Sequence, residues 1–125
     1  MNVLLYSVAI AVSVASVADV CAQGFPSKSV RMLLGSNVGS ASDTPMRIVA
    51  GPLSEMWKQQ IVVENRVSPG STIVTEIVAK ATPDGHTLLV CGAASHGIAP
   101  VLNKKLPYDY IKDFTFISRM GGVAN

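Results

Sequence analysis

Between residues 30 and 118, short β-branched or apolar runs alternate with segments whose apolar residues recur at three- and four-residue spacing. The first pattern belongs to strands and the second to helices. Val30-Arg31-Met32-Leu33-Leu34, Ile61-Val62-Val63-Glu64-Asn65, His86-Thr87-Leu88-Leu89-Val90-Cys91 and Phe114-Thr115-Phe116-Ile117-Ser118 predict four strands. The third is apolar almost throughout, which predicts burial on both faces and an inert core position for Cys91. A helix starting at Ser42 or Asp43 carries Met46, Val49, Ala50, Leu53, Met56 and Trp57 on one stripe. Pro45 suits its first turn, and Gly51-Pro52 predicts a kink or loosening in its middle. A turn from Arg66 to Gly70 leads to a second helix, Ile73 to Ala81, capped by Ser71 or Thr72 and stopped by Pro83-Asp84-Gly85. Ile98 to Leu102 is an apolar segment with the makings of a short helix, and Lys104 to Tyr108 reads as exposed turn.

Strands alternating with helices predict a parallel sheet with right-handed crossovers, so the expected fold class is α/β, a mostly parallel sheet with flanking helices. Ligands of such sheets lie beyond the C-terminal ends of the strands, near helix starts. Two runs of small residues occupy that position, Gly35 to Asp43 and Gly92 to His96. Both are expected to be loops, and their small side chains let a ligand approach the backbone.

The 125 residues suffice for one domain. A mean hydropathy of +0.40 excludes global disorder, and two Cys exclude a disulfide scaffold. The net charge of +2 gives no footing for nucleic acid as a partner. That charge is unevenly spread. Residues 1–24 hold a single charged side chain, Asp19, whereas the remainder sets ten Lys and Arg against seven acids. Val3 to Ala18 is uncharged and apolar or small, like the centre of a secretory signal, and a cut after Ala22 follows naturally from Val20-Cys21-Ala22. The expectation is a signal peptide over 1–22, with an uncleaved anchor or a core helix as rivals. Cleavage would leave Cys91 as the one cysteine.

The loops fail two phosphate-site patterns. Gly35 and Gly39 lack the third glycine of a dinucleotide fingerprint, and no Lys lies between Arg31 and Arg47 to serve a P-loop. What remains is the partial positive charge at a helix start, which favours an anion. Asp43 has two readings, as a loop and helix cap and as a direct ligand contact. Cys91 with His96 lacks a third, orienting group for nucleophilic catalysis. His86 and His96 lie on different elements and do not make a metal set. His86 reads as solvated and His96 as a candidate pocket residue. Trp57 reads as core or rim packing, and Glu64-Asn65-Arg66 as turn chemistry with an exposed ion pair at the ligand-facing edge.

Four strings then carry a resemblance: Phe25 to Arg31, Ile61 to Arg66, Ala79 to Leu89, and Lys105-Leu106-Pro107-Tyr108-Asp109. In this order and spacing they resemble the substrate-binding proteins of tripartite tricarboxylate transporters, the TctC or Bug family of periplasmic receptors. The resemblance spans roughly Phe25 to Asn125. It implies a two-lobed receptor of periplasmic-binding-protein-like (Venus flytrap) fold that closes on a small carboxylate and delivers it to a membrane permease. It implies no cofactor and no catalytic residue. Backbone amides and bound water would hold the carboxylate. The family's contacts carry over onto Asn37, Val38, Gly39, Ser40, Ala41, Ser42 and Asp43, and onto Ala93, Ala94, Ser95 and His96. Residues 23–125 are thus expected to form a partial N-terminal lobe, incomplete against the family's length, from a truncated reading frame or gene remnant. Two rivals stand beside a receptor fragment: a non-functional remnant, and a small hydrolase-like α/β enzyme.

Overall fold

A computed structural model describes residues 24–121; the leader lies outside them, as do Gly122 to Asn125. Three strands, β1 (Val30–Leu34), β2 (Ile61–Asn65) and β3 (Thr87–Val90), form one sheet in the order β2-β1-β3, with both pairings parallel. Helix α1 (Asp43–Trp57) joins β1 to β2, and α2 (Thr72–Ala79) joins β2 to β3. The chain steps from β1 outward to β2, then back past β1 to β3. Right-handed crossovers in opposite directions send the two helices to opposite faces of the sheet. Alternate side chains of β1 are shared between those faces. Val30, Met32 and Leu34 pack with Met46 and Ala50 of α1 and with Ile61. Leu33 points the other way and is fully buried, as is Val74 of α2, which packs against β1 and β3.

The α1 stripe runs through Met46, Ala50, Leu53 and Trp57. Met56 is excluded from it and exposed, since one residue from Trp57 it sits about 100° round the helix. The helix is unbroken through Gly51-Pro52, whose positions face solvent. It ends where Lys58 turns left-handed at φ 52°. Helix α2 is shorter than expected, stopping at Ala79, and a 3-10 turn, Pro69–Ser71, leads into it.

Four expectations need correction. Strand β3 is only half-buried, because among the described residues it is a sheet edge rather than a central strand. Phe114 to Ser118 forms no strand. Its aromatic rings instead pack edge-on to His96, with centroids 5.0 Å away for Phe114 and 5.8 Å for Phe116, which draws its backbone off the ladder. Tyr108, placed by the sequence in an exposed turn, is buried with its ring edge-on to Phe114. His86 is 8% exposed rather than solvated. Phe25 covers its ring at 5.1 Å, and its Nδ1 lies 3.0 Å from the Asp84 carbonyl oxygen. The edge of Phe25 also meets Trp57 at 6.0 Å, in keeping with packing at the core rim.

Candidate functional site

The reversal of winding between β1 and β3 opens a crevice at their C-terminal ends, the usual ligand position in an open α/β sheet. A cleft of about 200 Å³ lies there. Gly35 and Ser36 line it from the end of β1, and Val90, Cys91 and Gly92 from the end of β3. Ser42, Ser71, Ala93, Ala94 and Ser95 complete it. No lining residue carries a charge. Ser42 directly precedes α1, Ser71 directly precedes α2, and Ala93 opens a π-helical turn, Ala93–Ile98, that continues into α3 (Ala99–Leu102). Three helix starts therefore meet at one cleft with their dipoles, although at α1 the Asp43 and Thr44 N–H groups donate to the Ser40 carbonyl and Pro45 has none, and at α2 the Thr72 and Ile73 N–H groups donate to the Pro69 carbonyl and Ser68 Oγ.

The two walls are built differently. Gly35 to Ser42 is a loop, as its composition predicts. A Cβ on Gly35 would collide with the Ser71 side chain, so glycine is required where β1 meets the start of α2. Ser71 holds a left-handed conformation at φ 55°, uncommon for a residue with a side chain, and its Oγ donates to the Gly35 carbonyl at 3.3 Å. Ser36 Oγ accepts hydrogen bonds from Ser42 Oγ at 2.8 Å and Ser40 Oγ at 3.1 Å.

Asp43 stands within the first helical turn rather than capping it. At 1% exposure its carboxylate turns back into the protein. Oδ2 accepts from the Gly39 N–H at 2.8 Å and from Arg47 Nε at 2.9 Å, and Oδ1 accepts from Asn65 Nδ2 at 2.9 Å. The hydrogen bond from Arg47, followed by that from Gly39, holds its pKa down to about 2. At the end of β2, Glu64 pairs with Arg31 at 2.6 and 2.9 Å, the ion pair expected there, although Arg31 rather than Arg66 is its near partner.

The second wall is not the loop expected. Gly92 breaks the strand and Ala93-Ala94 then favour helix, the state in which alanine is best. Ser95 caps the turn, accepting from the Gly92 N–H at 3.2 Å and donating to the Gly92 carbonyl at 3.1 Å. Cys91 is exposed to the cleft mouth rather than buried, because β3 ends at Val90. His96 does not line the cleft. Its Nδ1 lies 3.0 Å from Ser95 Oγ, the same oxygen that lies 3.1 Å from the Gly92 carbonyl. Burial lowers the His96 pKa. Among the described residues no three His, Cys, Asp or Glu side chains group to hold a metal.

Of the residues carried over from the resemblance, Ser42, Ala93, Ala94 and Ser95 line the cleft. Asn37, Val38, Gly39, Ser40, Ala41, Asp43 and His96 do not. Val38 is 72% exposed, on the outer rim of its loop. Gly35, Ser36 and Gly92, which also line the cleft, fall in the two runs that the sequence places at the strand ends. Sequence reasoning missed Val90, Cys91 and Ser71; the strand-end rule points to the first two, and Ser71 had only its cap-like position before α2.

The fold is that of an incomplete lobe of the periplasmic-binding-protein class. The MatC protein of Rhodopseudomonas palustris, solved with bound malate, superimposes with a TM-score of 0.67 at 37% identity, covering 73% of this chain and 31% of that one. The family of tripartite tricarboxylate transporter receptors (TctC) matches residues 46–125, and the chain belongs to that family. A UPF0065 protein of Bordetella bronchiseptica is 40% identical over 92 residues, which is 74% of this chain and 28% of the relative. BugT of Bordetella pertussis is 30% identical over 125 residues, 98% of this chain and 38% of BugT. The chain thus spans well under half the length of these relatives.

Proposed function

We propose that this chain provides a partial N-terminal lobe of a receptor for a small carboxylate, exported by residues 1–22 and carried in residues 23–125, that hands its ligand to a membrane permease of a tripartite transporter. The observation that carries the reading is the meeting of three helix starts at a cleft lined by four serines and no charge. Peptide dipoles and neutral hydroxyls attract a carboxylate without the desolvation penalty of a buried lysine or arginine. They also leave it free to depart, which a delivery protein requires. Malate in the related MatC structure supports the ligand class, and the apolar run of residues 3–18 supports export. The chain's part in this reading is binding rather than catalysis, in keeping with the receptor family to which it belongs.

Titrating the purified chain with malate and with its dimethyl ester in a calorimeter tests this. Heat of binding with malate and none with the neutral ester is expected. Malate should also slow alkylation of Cys91 at the cleft mouth, followed by peptide mass. Absence of both effects would remove the carboxylate reading.

A further inference from the structure

We propose that Asn65, which does not line the cleft, is the positioning residue that sets how tightly the cleft holds its ligand. The proposal rests on the carboxylate-receptor reading. Asn65 is the last residue of β2, and its side-chain amide is fully engaged. Nδ2 donates to the Ser36 carbonyl at 3.0 Å and to Asp43 Oδ1 at 2.9 Å, while Oδ1 accepts from Arg47 Nη2 at 2.8 Å. The reverse orientation of the amide would set its oxygen against two acceptors and its NH2 against a guanidinium, so the partners fix it.

One side chain therefore ties together the end of β2, the first turns of α1 and the peptide of Ser36. Ser36 is the cleft-lining residue whose Oγ receives the Ser42 and Ser40 hydroxyls, which leaves its own proton uncommitted within the trio. Asp43 completes the frame by holding the Gly39 N–H. The carboxylate of Asp43 has no exposed surface to offer a ligand; Asn65 and Asp43 together shape the loop that does. A ligand meeting a loop already in its bound shape loses less ordering entropy on binding. Without Asn65, the Ser36 carbonyl and Asp43 Oδ1 each lose a partner, and ligand binding must order the loop itself.

The test compares the wild-type chain with Asn65→Ala and Asn65→Asp, the latter placing a second carboxylate against Asp43 while keeping the side-chain size. Amide hydrogen exchange is measured without ligand, and malate is titrated by calorimetry. Exchange at Gly39 should quicken by about tenfold or more in both variants, with β1 amides unchanged. The malate Kd should rise by about tenfold at unchanged stoichiometry. A merely structural lesion would instead quicken exchange across the sheet and lower the stoichiometry at unchanged Kd, and that outcome overturns the proposal. So does wild-type exchange at Gly39. If the wild-type chain takes up no malate, the receptor reading falls, and exchange at Gly39 still decides whether Asn65 positions this loop.

Discussion

The two walls of the cleft are held together by opposite routes. The wall from Gly35 to Asp43 is held from outside: Asn65 of β2, Arg47 of α1 and Ser71 before α2 all bond to it or to its carboxylate. The wall from Gly92 to His96 is held from within, by Ser95 folded back on Gly92 and by the His96 N–H donating to the Gly92 carbonyl at 3.1 Å. A loop without periodic hydrogen bonds must borrow partners from the tertiary fold to satisfy its backbone. A helical turn supplies its own. The first wall should therefore loosen when a partner on another element is removed, and the second when its own Ser95 is.

Asp43→Ala should break the first wall most severely. It strands the Gly39 N–H, leaves Arg47 with its bond to Asn65 alone and leaves Asn65 with one partner fewer. A fall in Tm of about 10 °C or more is expected, since several charge-assisted hydrogen bonds go at once. Thermal unfolding followed by circular dichroism checks this, and a Tm within experimental error of wild type would show that the loop does not lean on the rest of the fold. Acid should act in the same direction. Asp43 has its folded-state pKa lowered from 3.8 to about 2, so its contribution is present above pH 4 and is lost as pH falls towards 2.

Ser95→Ala is the matching lesion in the second wall and should be milder. It removes the hydroxyl that both accepts from and donates to Gly92, for a cost of about 1 kcal/mol. Hydrogen exchange should quicken between Gly92 and His96 while the amides of β1 and α1 keep their wild-type protection. Spread of the change into β1 would mean that the second wall is part of the cooperative core and does not hold itself.

Much of the fold was legible because it depends on local periodicity. β1 and β2 coincide with their predicted runs, and the alternation gave the parallel sheet. The α1 start and the positions of both walls followed from Pro45 and from the strand-end rule. What the residues did not disclose is long-range. Asp43 caps the loop through the Gly39 N–H as one reading has it, but it also accepts from partners up to 22 positions away, which no local pattern shows. Asn65, read as turn chemistry, ties the loop to the sheet. His86 and Tyr108 are buried by aromatic rings remote in sequence or lying past a turn. The alternation at Phe114 to Ser118 gives an apolar edge without a strand, because His96 and not β3 takes up the rings. Cleft residues such as Cys91 and Gly92 carry no chemical signature, and only their place at a strand end marks them.

The smallest expected difference lies in how the walls respond to mild acid, and it separates them by pH window. His96 is packed against Phe114 and Phe116, and burial lowers its pKa from the ordinary value of 6.5. A histidine that titrates lower in the folded than in the unfolded state takes up its proton first on unfolding. Its neutral form therefore supports the fold fully above pH 6.5, and that support declines as pH falls from 6.5 towards the folded value. Asp43 remains ionised throughout this interval. Between about pH 7 and 5 the Gly92–His96 turn should lose exchange protection, by about threefold or less, while Gly39 keeps its protection. His96→Phe preserves an aromatic ring against Phe114 and removes the titration, so its protection should not change over that interval. A wild-type turn whose protection stays flat across the same interval, or a His96→Phe variant that still loses it, would show that His96 does not tune this wall.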